Sequence, residues 1–96
     1  MQIDPEGVEI RVLEKLAPMD GLHVLEVGCG DGRVTRQIAG AAAWVYAVDP
    51  DAERIRLARQ SLPAELARKV QFEVAGAAEV SISRRRFDLA LFSWSL

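Results

Sequence analysis

Acidic and glycine residues alternate in one short stretch of this chain, and their spacing is the strongest chemical signal in the sequence. Glu26 stands two residues before Gly28, and Gly30 and Gly32 follow at every second position. Glycine adopts positive φ without steric cost and lets the backbone approach a bound molecule closely. The apolar run before Glu26 predicts a strand, and the pattern from Val34 onwards predicts a helix. We therefore expect a strand, a tight turn wrapped around a ligand, and a helix start.

A second acid, Asp49, ends another apolar run, 21 residues after Gly28. In open α/β sheets, ligands bind beyond the carboxyl ends of the strands, so a glycine loop and an acid at neighbouring strand ends predict a pocket for an adenosine-containing molecule. The dinucleotide pattern G-x-G-x-x-G fits poorly, because Gly32 comes one residue early and Arg33 holds the third glycine position. An NAD-dependent oxidoreductase is therefore the less favoured interpretation.

Strands and helices are predicted to alternate around these two sites. Asp4-Pro5-Glu6 is typical of a helix start, and apolar residues at helical spacing predict an amphipathic helix that ends near Pro18. Asp31 and Asp51 are expected to cap the next two helices, and the second of these is expected to bury Ile55, Leu57, Ala58 and Leu62. The expected strands are 22–27, 43–48, 70–74 and 87–94, with a loop or frayed turn at 75–83.

Strands that are apolar on both faces and alternate with helices call for a parallel sheet covered on both sides. The predicted fold class is thus α/β, a three-layer, Rossmann-like open parallel sheet, truncated after the fourth strand. With 96 residues the chain makes one domain. We expect an N-terminal helix region at 1–20 and a βαβαββ core at 21–96.

Composition narrows the classes of partner. The chain is 50% hydrophobic and 27% charged with a net charge of -2, a balance that argues against nucleic acid held by phosphate neutralisation. Arg84 to Arg86 is interpreted as a solvated turn, and His23 as a solvated residue at a strand start. The longest uncharged run, 37–48, is too short for a membrane span, and no apolar signal-peptide core is visible in the first twenty residues. The lone Cys29 excludes an internal disulfide, so we expect a cytoplasmic protein, with no metal-ligand cluster.

Glu26 to Gly32 fits the pattern E/D-x-G-x-G-x-G at each fixed position. Together with Asp49, this stretch resembles the class I S-adenosylmethionine-dependent methyltransferase family. The resemblance covers 22–33, 45–49 and 87–96. It implies a methyltransferase with S-adenosyl-L-methionine as its cofactor and a small-molecule substrate.

The resemblance also implies roles for single residues. Glu26 would hold the cofactor's α-amino group, directly or through water, and Asp49 would accept hydrogen bonds from both ribose hydroxyls. Pro50 would lie against the adenine. The main chain would pass under the methionine and ribose portions of the cofactor at Gly28, Cys29, Gly30 and Gly32. Cys29 has no neighbouring base, so it is not predicted to be a nucleophile.

The loop after the third strand departs from the family. Where the family often has Gly-Asp-Ala, with the aspartate accepting from the adenine amino group, this chain has Gly76-Ala77-Ala78. Gly76 and Ala77 are still expected to border the cofactor, but the acceptor is missing and Glu79 comes two positions late. We expect weaker adenine binding, by roughly tenfold or more.

The resemblance implies seven strands, whereas four are predicted here, so we expect the cofactor-binding half of the fold and name no catalytic residue. Ser93 and Ser95 lie where the family places substrate-facing groups, and Phe92 and Trp94 are interpreted as core or interface residues. An apolar fourth strand, 87–96, would be an exposed edge that invites a homo-oligomer or another partner. The alternative function is a non-catalytic module that binds the cofactor or serves as a partner subunit.

Overall fold

The computed structural model describes residues 2–3, 9–12, 19–82 and 86–93. Its helices and strands alternate along most of this length. In chain order they are β1 (Gln2–Ile3), β2 (Glu9–Val12), β3 (His23–Val27), α1 (Arg33–Ala39), β4 (Trp44–Asp49), α2 (Ala52–Ser61), a 3-10 turn (Ala64–Leu66), β5 (Val70–Val74), a second 3-10 turn (Ala77–Glu79), β6 (Ser81–Ile82) and β7 (Leu89–Phe92).

Five of the strands form one parallel sheet in the order β2-β7-β3-β4-β5, and β1 pairs with β6 in a separate two-stranded parallel ladder. β3, β4, β5 and β7 are the four predicted strands, so the predicted α/β class with an open parallel sheet is confirmed.

The direction of the connections reverses beside β3. The chain moves from β3 through α1 to β4 and through α2 to β5, then returns past both strands to β7 on the other side of β3. Right-handed connections that run in opposite directions lie on opposite faces of a sheet. The carboxyl ends of β3 and β7 therefore flank a topological switch point, the place where such sheets bind ligands.

Each face of the sheet carries a hydrophobic cluster. One face packs against both helices through Ile38 of α1 and Ile55 and Ala58 of α2, all at most 4% exposed. The other face is covered by the segment that returns from β5 to β7, which contributes Val80 and Phe87. The sheet is thus buried on both sides, which explains its almost uninterrupted apolar strands.

The predicted N-terminal helix is wrong for residues 9–12, which form β2 and pair in parallel with β7. Ile10 and Val12 alternate with charged residues, so this stretch satisfies a strand period as well as a helical one, and β-branched residues favour the strand. Pairing with β7 supplies the long-range hydrogen bonds that decide between them. Residues 4–8 and 13–18 of the predicted helix lie outside the described residues.

The expected exposed edge at 87–96 is also wrong for Leu89–Phe92. β7 has β3 on one side and β2 on the other, so the edges of the five-stranded sheet are β2 and β5. Residues 94–96, with Trp94 and Ser95, lie outside the described part of the chain. Phe92 is half-buried and packs against the second cluster, as interpreted from the sequence.

Three smaller predictions have mixed outcomes. Asp51 caps α2, where its carboxylate accepts from the backbone N–H groups of Glu53 and Arg54, as expected. Leu57 was expected in the core but is 40% exposed, because α2 buries only Ile55 and Ala58. The 75–83 loop contains the second 3-10 turn and also β6, a strand that its weak periodicity did not indicate.

Candidate functional site

The glycine loop leaves β3 and immediately binds to β4. The backbone N–H groups of Gly28 and Cys29 both donate to the Val48 carbonyl, at 2.8 and 3.0 Å. The loop takes positive φ at Gly28 (81°), Gly30 (56°) and Gly32 (87°), a region that residues with a Cβ rarely enter. The alternating glycines are thus explained by the backbone path, as the spacing predicted.

Asp49 ties this loop to the end of β4. Its Oδ2 accepts from the backbone N–H of Gly30 and its Oδ1 from that of Asp51, both at 2.9 Å. The side chain is only 8% exposed, so these two donors replace most of its hydration. Each carboxylate oxygen has about two acceptor positions, so Asp49 can accept further hydrogen bonds from a ligand. Pro50 follows Asp49 directly and is exposed.

Glu26 is the most deeply buried acid of the site, with 0% exposure. The hydroxyl of Thr35, on α1, donates to its Oε1, and the hydroxyl of Ser93, just after β7, lies at hydrogen-bond distance from its Oε2, 2.6 Å away. Burial raises the pKa of Glu26 above the ordinary glutamate value, and the two hydroxyl donors partly oppose that rise. Its predicted contact with a ligand ammonium stays a prediction.

Thr35 and Ser93 both contact the Glu26 carboxyl group, and the sequence predicted neither contact. The prediction placed Ser93 near a substrate but found no partner for it, whereas the fold brings it to Glu26 across 67 residues of chain. The Ser93 hydroxyl also lies 3.2 Å from the Gly28 carbonyl, and its backbone N–H donates to Val27 at 3.0 Å. The serine thus stands at the switch point between β3 and β7.

The loop carries negative electrostatic potential. Cys29 is buried, and burial is the largest cause that raises the pKa of its thiol; the charges of Glu26, Asp49 and Asp31 raise it further. A thiol held neutral in this way is a poor nucleophile, which agrees with the sequence-based interpretation. Asp49 and Asp31, and Glu26 whenever it is ionised, favour a cationic ligand.

Gly32 faces α2. A methyl group added to it would lie 3.1 Å from the Ala58 Cβ, so its place in the loop is fixed by helix packing. The N-cap of α1 is Gly32 and not Asp31 as expected, although the Oδ1 of Asp31, one residue earlier, accepts from the backbone N–H of Arg33 at 3.2 Å. These two residues anchor the far side of the loop, and a direct contact of Gly32 with a ligand stays a prediction.

Gly76 and Ala77 lie beyond the end of β5, next to Asp49. The link is the backbone N–H of Ala75, which donates to the Asp49 carbonyl at 3.0 Å. The Glu79 carboxylate turns back to accept from the Gly76 N–H at 2.8 Å. All nine predicted site residues thus lie at the carboxyl edge of the sheet, although Gly32 faces α2.

Metal binding and membrane insertion have no candidate segment among the described residues. Among residues 19–82 and 86–93, no three His, Cys, Asp or Glu side chains are grouped so that they could hold a metal ion. None of the helices in the same part of the chain has the length and apolar character that a bilayer span requires. His23 is exposed at the start of β3, as predicted, and its backbone N–H donates to Asp88 at 2.9 Å.

Comparison with known proteins gives the family. A family model described as a methyltransferase domain matches residues 24–96, from the middle of β3 onwards. The chain belongs to the class I S-adenosylmethionine-dependent methyltransferase family. The family resemblance that Glu26 to Gly32 and Asp49 indicated is thereby confirmed.

Curated relatives of this methyltransferase-family chain include two O-methyltransferases. The mitochondrial ubiquinone biosynthesis O-methyltransferase of Mus musculus is 34% identical over 79% of this chain and 21% of its own length. The magnesium-protoporphyrin O-methyltransferase of Rhodobacter capsulatus is 35% identical over 78% of this chain and 34% of its own length. The chain therefore spans well under half the length of either relative.

Solved structures share the fold. A methyltransferase from Listeria monocytogenes superposes with a TM-score of 0.72 at 22% identity, covering 84% of this chain and 36% of the other. Magnesium protoporphyrin IX methyltransferase from Synechocystis PCC 6803, solved with bound SAM, gives a TM-score of 0.66 at 26% identity, covering 77% and 35%. Both likenesses cover most of the sheet and helices described above.

Proposed function

We propose that this chain binds S-adenosyl-L-methionine at the carboxyl ends of β3 and β4 and forms the cofactor-binding part of a small-molecule O-methyltransferase. The observation that carries this proposal is the hydrogen bond between Asp49 and the Gly30 N–H. This hydrogen bond holds Asp49, whose oxygens can accept further hydrogen bonds, beside a loop in which Gly28, Gly30 and Gly32 carry no side chain.

The residues at this edge suit the cofactor chemically. Asp49 offers two acceptor oxygens to two vicinal ribose hydroxyls, and only the end of the flexible Arg54 side chain lies close to the place that a side chain of Gly30 would take. The acids around Cys29 suit a molecule that carries positive charges. Bound S-adenosylmethionine supplies a methyl group on a sulfonium, ready for transfer to a nucleophile.

The class of substrate is inferred from the relatives. Both curated relatives described above are named O-methyltransferases, one of ubiquinone biosynthesis and one of magnesium protoporphyrin. These names support an oxygen acceptor on a small molecule. Positioning supplies much of the catalysis of a group transfer. The chain spans about a third or less of the length of these relatives, and the proposal names no catalytic residue.

Calorimetry of the purified chain tests the proposal. We expect S-adenosylmethionine and S-adenosylhomocysteine to bind at the same site and to compete with each other, and NAD to give no heat of binding. Binding of NAD with neither adenosyl compound would contradict the proposal. Binding of both adenosyl compounds without methyl transfer to a panel of phenols and carboxylates would favour the alternative of a non-catalytic cofactor-binding module.

Location and assembly are further parts of the proposal. A cytoplasmic location is supported by the free, buried Cys29, which forms no disulfide. A homo-oligomer, or pairing with another partner, is supported by the open edge of β5, where Val74 is 48% exposed. Sedimentation that finds only monomers at micromolar concentration would rule out the homo-oligomer.

A further inference from the structure

The hydroxyl of Ser93 has two acceptors within hydrogen-bond distance but only one proton to give. It lies 2.6 Å from Glu26 Oε2 and 3.2 Å from the Gly28 carbonyl oxygen. A serine hydroxyl donates once and accepts up to twice. Ser93 can therefore donate to only one of these two oxygens. The other oxygen must take part in a different hydrogen bond or have none from Ser93.

The protonation state of Glu26 decides between two arrangements of the same heavy atoms. When Glu26 is ionised, Ser93 donates to the carboxylate and the Gly28 carbonyl loses that donor. When Glu26 is protonated, its own O–H donates to the Ser93 oxygen, and Ser93 donates to the Gly28 carbonyl. The second arrangement satisfies both acceptors, which matters in a site where Glu26 is fully buried.

Among the described residues, the side chains that contact Glu26 carry no positive charge. α1 presents the neutral hydroxyl of Thr35, and the end of β7 presents that of Ser93. β4 contributes the acid Asp49, and the loop contributes the thiol of Cys29. Burial consequently raises the pKa of Glu26, so its proton is retained above the ordinary glutamate range.

The cations nearest to the loop are directed elsewhere. Arg54 of α2 lies against Gly30, where an added methyl group would meet its Nη1 at 3.4 Å, and Arg54 also lies 3.7 Å from Asp51. Arg36 of α1 donates to the Asp31 carbonyl at 3.2 Å and to a serine on α2. A positive charge that enters beside Gly28 would therefore meet acceptors that no described arginine occupies.

We propose that Ser93 is a positioning residue whose hydroxyl turns from the Gly28 carbonyl to the Glu26 carboxylate when the ammonium group of an amino-acid ligand is bound, and that Glu26 gives its proton to solvent in the same step. The ammonium keeps its protons and provides the Gly28 carbonyl with a new donor. One proton leaves the protein for each cation bound. This inference rests on the proposed function, because S-adenosylmethionine carries such an ammonium.

Calorimetry in buffers of different ionisation enthalpy measures that proton directly. The two probes are S-adenosylhomocysteine, which carries the ammonium, and 5′-methylthioadenosine, which lacks the amino-acid portion. With the first we expect the release of up to one proton, and an affinity that rises with pH by at most about tenfold per unit while Glu26 titrates. With the second we expect neither effect.

Two substitutions at Ser93 separate positioning from packing. Ser93→Ala removes the hydroxyl and should weaken S-adenosylhomocysteine by about tenfold, with methylthioadenosine changed less than about twofold. Ser93→Thr keeps a hydroxyl and should restore most of the loss. Glu26→Gln cannot ionise, so the proton release should disappear. Circular dichroism checks that each variant is folded.

The outcomes divide cleanly. S-adenosylhomocysteine binding with no proton exchange, or an equal loss of both ligands in Ser93→Ala, would overturn the role of Ser93 and leave the adenosyl site intact. If neither probe binds the unaltered chain, the adenosyl site of the proposed function fails and this inference fails with it.

Discussion

Glu26 and Asp49 stand at the carboxyl ends of neighbouring strands, and both are buried, yet they are held in different ways. Asp49 accepts from two backbone N–H groups, of Gly30 and Asp51, which the fold keeps in place. Glu26 is hydrogen-bonded instead to two side-chain hydroxyls, of Thr35 and Ser93, which rotate about a single bond. One acid therefore has fixed donors and the other has adjustable ones.

We expect this difference to give the two acids different tasks. Backbone donors hold the Asp49 carboxylate in one orientation, which suits recognition of a rigid ribose. Hydroxyl donors let the hydrogen bonds around Glu26 rearrange when charge enters the site, which suits a group that carries and releases a proton. Four variants test whether the contrast is real.

The largest effect is expected from Asp49→Ala. The N–H groups of Gly30 and Asp51 lose their acceptor in a partly buried place, so we expect the free energy of unfolding to fall by about 3–5 kcal/mol. The affinity for S-adenosylhomocysteine should fall by about a hundredfold. Urea denaturation and calorimetry measure the two effects.

Asp49→Asn is the matched control, because it keeps the shape and one acceptor oxygen. Its losses should lie between those of the wild type and Asp49→Ala. If Asp49→Ala binds the ligand with unchanged affinity, the ribose role is wrong and Asp49 only holds the loop.

Gly32→Ala tests whether the loop is held by packing as well as by the two acids. The added methyl group would meet Ala58 at 3.1 Å and would force a left-handed residue, so we expect a loss of about 2–3 kcal/mol in thermal or urea unfolding. Gly21→Ala is the control, since Gly21 also has positive φ (72°) but open space around it. Equal losses in both variants would show that contact with α2 contributes nothing.

Glu26→Gln tests the adjustable acid through the pH dependence of stability. Because the folded-state pKa of Glu26 is raised above its ordinary value of 4.5, the folded protein holds a proton that the unfolded chain has lost. The resulting contribution to stability is complete below that ordinary value and is lost as pH rises through the folded pKa, with a slope of at most about 1.4 kcal/mol per pH unit.

The unfolding free energy of the wild type should therefore fall relative to that of Glu26→Gln as pH rises. Urea denaturation at several pH values from about 4.5 to about 8 measures it. Parallel curves for the two proteins would show that Glu26 titrates normally. In that case Glu26 and Asp49 would differ only in the geometry of their hydrogen bonds.

The smallest effect is expected from Asp51→Ala. This residue caps α2, and loss of its side-chain acceptor should lower the unfolding free energy by about 1 kcal/mol. Its backbone N–H still donates to Asp49, so ligand affinity should hardly change. Asp51→Ser keeps a cap and should recover most of the stability. A large loss of affinity in Asp51→Ala would show that Asp49 is less firmly held than its backbone donors suggest.

The sequence predicted those parts of the molecule whose signals are local. The strands β3, β4, β5 and β7, the glycine loop and Asp49 follow from apolar runs, glycine spacing and an acid at a strand end. Asp51 was identified as a cap for the same reason. Each of these features depends on residues within a few positions of one another.

The features that were missed depend on partners far away in the chain. Ile10 and Val12 fit two periodicities, and only the distant strand β7 selects the extended one. Ser93 is an ordinary serine until the fold places it beside Glu26. Leu57 is the exception, because it lies two positions after Ile55 and therefore on the nearly opposite side of α2, where it is 40% exposed.

The order of strands in the sheet also determines when the site can form during folding. β3, β4 and β5 are consecutive, so they can pair while the rest of the chain is still unfolded. β7 must then insert between β3 and β2, and its contacts with β2 join residues from opposite ends of the sequence. Pairings with such large sequence separation form slowly. Glu26 gains Ser93 only at this step, so refolding followed by ligand binding should lag behind the formation of helix and report the arrival of β7.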